Sequence, residues 1–234
     1  MTQIKSQVSC WRHTILRVSE MVFQDRREAG RVLGELVAEL PDLKDGVVLG
    51  LVRGGVPVAF EVARACGLPM DILVVRKLGV PGQEELAMGA IASVGGVVLN
   101  EYIVRSCHVS EKKLELVIER EMEEMGRRER LYREGRPAME IAGRTVILVD
   151  DGLATGASMR AAIRAVKGRA RRVVVAVPVG ANSTCEELAQ EVDQVVCAQT
   201  PEPLDAVSLF YREFGPTGDD EVKALMKQGQ RTRE

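Results

Sequence analysis

Two adjacent carboxylates, Asp150 and Asp151, follow the apolar run Val146-Ile147-Leu148-Val149, and a stretch of small residues, Ala154-Thr155-Gly156-Ala157-Ser158, follows them. A buried strand delivers the acids to its carboxyl end, the edge of an open α/β sheet where ligands bind. The small residues then turn the chain into a helix. Backbone N–H groups at a helix start are unpaired and the helix dipole favours an anion there. Thr155 and Ser158 add hydroxyl donors, and the small side chains allow a phosphate to approach the backbone. A bare phosphate would be repelled by the neighbouring acids. A ligand that contacts both must therefore offer hydroxyls or a cation to the carboxylates, and a sugar phosphate does so.

The elements that would carry this site alternate along the chain. Ala29, Val32, Leu33, Leu36, Val37 and Leu40 recur at helical spacing between Asp25 and Leu40, with Pro41 just beyond. Val47 to Leu51 reads as a buried strand that ends in Arg53-Gly54-Gly55; a helix follows from Pro57 and stops at Gly67, and Asp71 to Val75 is again strand-like. Runs apolar on both faces imply a covered parallel sheet. The second half repeats the pattern: a strand at 145–149, a helix at 158–167, a strand at 173–179, a helix at 184–192 and a short strand at 194–197. The expected fold is α/β, one doubly wound, mostly parallel sheet.

Between the halves, Leu78 to Met88 has glycines, a proline and carboxylates without clear period, which reads as an irregular, flexible loop. Ala90 to Val94 and Val97 to Leu99, separated by Gly95-Gly96, read as a β-hairpin. Glu111 to Glu134 is a long amphipathic helix with a solvated outer face. The tail from Pro201 is a proline-marked loop with short helices. In it Phe210 and Phe214 fall on one face at helical spacing, and Phe210 and Tyr211 are candidates to stack on a planar base, packing being the commoner use of such rings. Asp25 reads as a helix N-cap and Arg26 as a surface charge, in preference to both contacting a base. Residues 1–20 read as a loosely attached extension, 21–234 as one domain with its core at about 25–200 and a hood built from its flanks.

Composition narrows the class. In 234 residues there are 34 acidic and 32 basic side chains, a net charge of -2, which argues against a protein devoted to a nucleic-acid backbone. The five cysteines, Cys10, Cys66, Cys107, Cys185 and Cys197, are scattered and the two histidines, His13 and His108, lie far apart. A zinc cluster or disulfide framework is not expected, and free thiols point to a reducing cytoplasm. No apolar run reaches the roughly 20 residues a membrane span needs.

The stretch VILVDDGLATGAS resembles the 5-phosphoribosyl-1-pyrophosphate (PRPP) motif of the type I phosphoribosyltransferases, and the RGGVPVA and RKLGVPGQEELAMGAI stretches are similar to a bacterial subgroup of that family. The resemblance covers about Asp25 to Thr200. It implies that Asp150 and Asp151 hold the ribose, that Ala154 to Ser158 hold the 5′-phosphate, and that Arg53, Gly54, Gly55, Arg76 and Lys77 receive pyrophosphate. It further implies Mg2+ on the pyrophosphate, with the two acids taking part indirectly, and displacement of pyrophosphate by a nitrogen of a nucleobase-like acceptor. Arg53, Lys77 and the acid pair are then the catalytic set, the stretch 78–88 a candidate lid, and a homodimer the expected assembly. The hypoxanthine-type members carry an acid in the loop where this chain has Ala154, so a proton relay must come from elsewhere, Glu84 and Glu85 being candidates, or from the base itself. A PRPP- or nucleotide-binding regulatory module is the alternative. A phosphate-ester hydrolase ranks last, because no second carboxylate cluster accompanies the pair.

Overall fold

The computed structural model describes residues 13–15, 21–94 and 96–231. Five short apolar runs, too short and too β-branched to prefer helix, become the centre of the molecule. They are β2 (Val47–Leu51), β3 (Met70–Leu73), β7 (Thr145–Val149), β8 (Arg172–Val179) and β9 (Gln194–Gln199), nearly every residue of which is buried. With β1 (His13–Ile15) they form a six-stranded sheet, ordered β1-β9-β8-β7-β2-β3, in which every pairing is parallel. The strand β1 thus lies within the stretch read as a loose extension. The rest of residues 1–20, with Cys10, falls outside the described residues.

Helices cover both faces. Asp25 caps α1 (Arg26–Ala38) by accepting from the Glu28 backbone N–H at 2.8 Å, as expected of an N-cap aspartate. The next helix, α2 (Gly55–Cys66), ends on Gly67, whose φ of 64° supplies the left-handed cap. Side chains of α1 and α2 pack with Val48, Ile147, Val149 and Val174 on one face. Those of α5 (Ala157–Val166) and α6 (Asn182–Ala189) pack with Val47, Leu49, Val146, Leu148 and Val175 on the other. The alternation along each strand is the period-2 rule at work. Because α2 leaves β2 to one face and α5 leaves β7 to the other, the neighbours β2 and β7 flank the topological switch point, where a crevice must open beyond their carboxyl ends.

The middle of the chain differs from the sequence reading. Leu78 to Met88 is not an irregular loop: β4 (Val75–Val80) and β5 (Gln83–Ala92) pair antiparallel around a turn in which Gly82 has φ of 83°. The expected hairpin beyond it forms, β5 pairing with β6 (Gly96–Leu99), so a three-stranded antiparallel sheet stands beside the main one. No period was visible because Gln83 to Leu86 are exposed on both sides, and because the register shifts at Leu78–Val80 break the alternation. A short helix, α3 (Glu101–Ser106), precedes the long α4 (Glu111–Arg133), whose buried side includes Val117 and Met125.

The flanks meet as a hood. Phe23 donates its backbone N–H to Phe210 at 2.9 Å and accepts from Arg212 at 2.8 Å, and the C-terminal helix α7 (Asp219–Arg231) packs on the face that carries α2 and α4. The helical spacing of Phe210 and Phe214 is not realised: a single 3-10 turn, Val207–Phe210, gives way to an extended Tyr211. Cys185 and Cys197 are buried free thiols, while Cys66 and Cys107 are half-buried. Among the described residues no helix is long and apolar enough to cross a membrane, and no cluster of three metal-binding side chains occurs.

Candidate active site

Four fully buried aliphatic residues, Val146 to Val149, fix the direction in which β7 releases Asp150 and Asp151 at the switch point. Asp150 turns its Oδ1 back to accept the Asp151 N–H at 2.9 Å. Removal from water, and next the adjacent Asp151 charge, push the Asp150 carboxyl well above the usual aspartate range. Asp151 is held from both flanks. Arg26 Nε donates to its Oδ2 at 2.7 Å and the Tyr211 hydroxyl donates to its carbonyl at 2.6 Å. Burial pushes the Tyr211 phenol far up, so it remains a donor at any physiological pH. Arg26 is fixed in turn: Nη1 donates to the Gly215 carbonyl at 2.7 Å, and its guanidinium lies 3.9 Å from the Phe214 ring centroid.

The glycines of the β2 turn sit against these acids. A Cβ on Gly54 would stand 2.1 Å from Asp151 Oδ2, and one on Gly55 would stand 2.5 Å from the Val149 carbonyl oxygen. Only glycine allows the two turns to touch. Arg53, joined to Val52 by a cis peptide, projects from this turn with its side chain 45% exposed, and its Nη1 lies 3.5 Å from Asp219 Oδ1 at the start of α7.

The small-residue loop runs from Gly152 to α5. Leu153 bridges to the end of β8, donating to the Val179 carbonyl at 2.9 Å and accepting from Ala181 at 2.9 Å, and Thr184 Oγ1 donates to the Ala154 carbonyl at 2.7 Å. The loop is anchored underneath and open above: Ala154, Thr155, Ala157 and Ser158 are exposed, and Gly156 takes φ of 72° at the cap position without a side-chain hydrogen bond. The leading N–H groups of α5 and the two hydroxyls are therefore presented to an incoming anion.

The structure separates the two neighbouring cations. Along β4, Arg76 shares a face with Leu78 and Val80 beneath α4 and donates to Glu121 Oε2 at 2.8 Å. It is held in an ion pair under α4, where the resemblance implied a place at the pyrophosphate end, because alternate strand residues point to opposite faces. Lys77 points the other way, 46% exposed, with Glu85 Oε2 3.9 Å away. Glu84 and Glu85, the candidate proton carriers, stand exposed on the first half of β5.

Two further expectations change. Tyr211, read as a base-stacking ring, is buried between Phe23 and Phe214, with centroids 5.6 and 4.8 Å away, and supports the acid pair from behind. Phe210 packs half-buried on the same cluster. Arg26, read as a surface charge, is instead the counter-ion of Asp151. Its signal in the sequence was only its place one residue past a helix N-cap, which does not reveal a partner 125 residues away.

The donor set bears on the metal that the resemblance implies. Two carboxylates, one already holding a guanidinium, cannot enclose a cation. They fit Mg2+ carried on substrate oxygens with most of its waters, the usual arrangement for that ion.

The phosphoribosyl transferase domain model matches residues 23–206. Provisionally named phosphoribosyl transferases of two Mycobacterium tuberculosis strains are 46% identical over 211 residues, 90% of this chain. The chain spans about half their length, 47%. The crystal structure of TT1426 from Thermus thermophilus superposes with a TM-score of 0.78 at 43% identity, covering 89% of this chain and 99% of that one. With the acid pair, the open loop and the glycine turn on one crevice and the family model spanning all three, the chain belongs to the phosphoribosyl transferase domain family.

Proposed function

We propose that this chain transfers the 5-phosphoribosyl group of PRPP to a nitrogen of a nucleobase-like acceptor and releases pyrophosphate. The observation that carries the reading is the meeting, at one switch point, of an uncapped anion loop with two carboxylates against a side-chain-free turn that bears an exposed arginine. The 5′-phosphate is taken by the N–H groups leading into α5 and by Thr155 and Ser158. The ribose hydroxyls donate to Asp150 and Asp151, which fixes C1 over the crevice and places negative charge near the cation that develops as the C1–O bond breaks. Pyrophosphate leaves toward the Gly54-Gly55 backbone, Arg53 and Lys77, whose charges act on the departing group electrostatically. Mg2+, bound through the pyrophosphate, would supply further neutralisation of the leaving group. Arg26 keeps Asp151 in place, and the β4–β5 hairpin, which carries Lys77, closes over the sugar and keeps out water that would otherwise hydrolyse PRPP.

Thermal unfolding with PRPP and Mg2+ tests this directly. At about 100 times its dissociation constant, PRPP adds roughly 2.7 kcal/mol of stability. The gain disappears when Asp150 and Asp151 are both changed to Asn. A wild-type chain that PRPP does not stabilise, or a double variant stabilised as much as wild type, rules the reading out.

A further inference from the structure

A second cationic cavity opens away from the crevice, where α4 ends beside the root of the β4–β5–β6 sheet. It holds about 330 Å³, within the roughly 300–1,000 Å³ span of small-molecule pockets, and Ser93, Glu129, Arg130, Arg133 and Arg136 line it. The chain builds it by stopping the helix abruptly. Glu134 and Gly135 both take left-handed conformations, with φ of 50° and 82°, and this folds Arg136 back so that its Nε donates to the Arg133 carbonyl at 2.8 Å.

The three arginines are not equivalent. Arg133, almost fully buried, commits every nitrogen to protein: Nε to Asp71 at 3.1 Å, Nη2 to the Ile72 carbonyl at 3.0 Å, and Nη1 to Glu129. That last bond also engages the one acid on the cavity wall. Arg130 is exposed and has no acidic partner among the described residues. Arg136 has none either, and its Nη2 is buried without any acceptor. Leaving a buried donor unpaired is unfavourable, so a group that supplies an acceptor is favoured. Ser93 adds a hydroxyl whose oxygen already accepts from the Val74 N–H at 3.2 Å, leaving its proton to donate. Helix-dipole compensation accounts for arginines near a helix C-terminus. It does not account for a guanidinium nitrogen buried without a partner in a residue that lines a cavity with two uncompensated positive charges.

We propose that this cavity is a second anion site, distinct from the PRPP crevice, which binds a phosphate group through Arg130, Arg136 and Ser93. The planar guanidinium forks suit a phosphate's oxygens, and the volume leaves room for the small organic part of a phosphorylated metabolite. Its position gives it a lever on the crevice. Ser93 N–H donates to the Val74 carbonyl at 3.0 Å, and Arg133 clasps Asp71 and Ile72 of β3, whose Leu73 carbonyl accepts from Val52, the residue before Arg53.

Equilibrium dialysis of the full chain against labelled inorganic phosphate tests the site, with Arg130→Ala/Arg136→Ala and Thr155→Ala/Ser158→Ala compared with wild type. The expected result is two classes of site in wild type, one of which weakens about tenfold or more in the arginine variant and persists in the loop variant. A binding curve for the arginine variant that superposes on that of wild type overturns the proposal. Should the double variant fail to fold, Arg130→Gln on its exposed side chain serves: weakening of the same class supports the site and an unchanged curve overturns it. Displacement of the label from that class by AMP at lower concentration than by unlabelled phosphate marks an organic phosphate as the occupant. Displacement at equal or higher concentration marks free phosphate, and either result upholds the site. Because the readout is binding, it stands or falls apart from the transferase reading.

Discussion

The loop from β7 to α5 and the hairpin of β4 and β5, which the proposed function brings to the same crevice, are built by opposite means. The first leaves a strand that is buried on both faces and is pinned below by Leu153, Thr184 and the β8 end, so its geometry is set before any ligand arrives. The second projects Lys77, Glu84 and Glu85 into solvent, held on one side by Leu78, Val80 and the Arg76–Glu121 pair. A rigid half suits recognition of phosphate and ribose, which must be bound in one orientation. An exposed half suits a cover that has to open again for pyrophosphate to leave.

The sharpest way to break this division is to disturb the rigid half where no relaxation is available. Gly54→Ala places a methyl 2.1 Å from Asp151 Oδ2, so either the carboxylate or the turn must move. A misplacement of that order is expected to cost about 100-fold in PRPP-dependent turnover, read as kcat/KM. Retained activity would mean that the acid pair tolerates displacement and that the crevice is less preset than described.

Arg26→Ala comes next. It removes the partner of a largely buried carboxylate and leaves two acids adjacent, with loss of the ion pair and of the Phe214 contact expected to cost about 2–3 kcal/mol in denaturant unfolding. The PRPP-induced stabilisation should shrink with it.

The hairpin then separates into its two faces. Lys77→Ala should lower kcat/KM by about tenfold and leave unfolding unchanged, since the acid it pairs with is a fully exposed Glu85. Arg76→Ala should do the reverse, costing about 1–2 kcal/mol of stability by stripping buried Glu121 of a partner, with little change in kcat/KM. If the two variants exchange these effects, the assignment of faces is wrong.

The smallest effect concerns pH. Asp150 has a folded-state pKa above its unfolded value, because burial and the adjacent Asp151 charge disfavour its ionised form. The stability it contributes is present below the unfolded aspartate range and is lost as pH rises through the raised folded value. Asp150→Asn should therefore flatten the stability–pH profile on the acid side and raise neutral-pH stability by about 1 kcal/mol, while weakening PRPP binding. Parallel profiles for the two proteins would show that the carboxyl carries no such cost.

Much of the site was written in local sequence. Asp150, Asp151 and the loop to Ser158 are contiguous, and a buried strand followed by small residues has few other ways to fold, so the anion cradle and its acids could be read from thirteen residues. The parallel sheet was legible for the same reason: runs apolar on both faces need cover on both faces. The β4–β5 strands were hidden because a ribbon exposed along half its length shows no periodicity.

What lay beyond the sequence was every role set by a distant partner. Arg76 and Lys77 are adjacent and chemically similar, yet the pleat aims one at Glu121 and the other at solvent. Arg26 became the counter-ion of Asp151, and Tyr211 its support, only when the two flanks of the domain closed together. Local pattern decides which backbone a segment prefers, because propensity and burial act over a few residues. Which charge meets which is decided by packing between segments far apart in the chain, and no spacing within either segment records it.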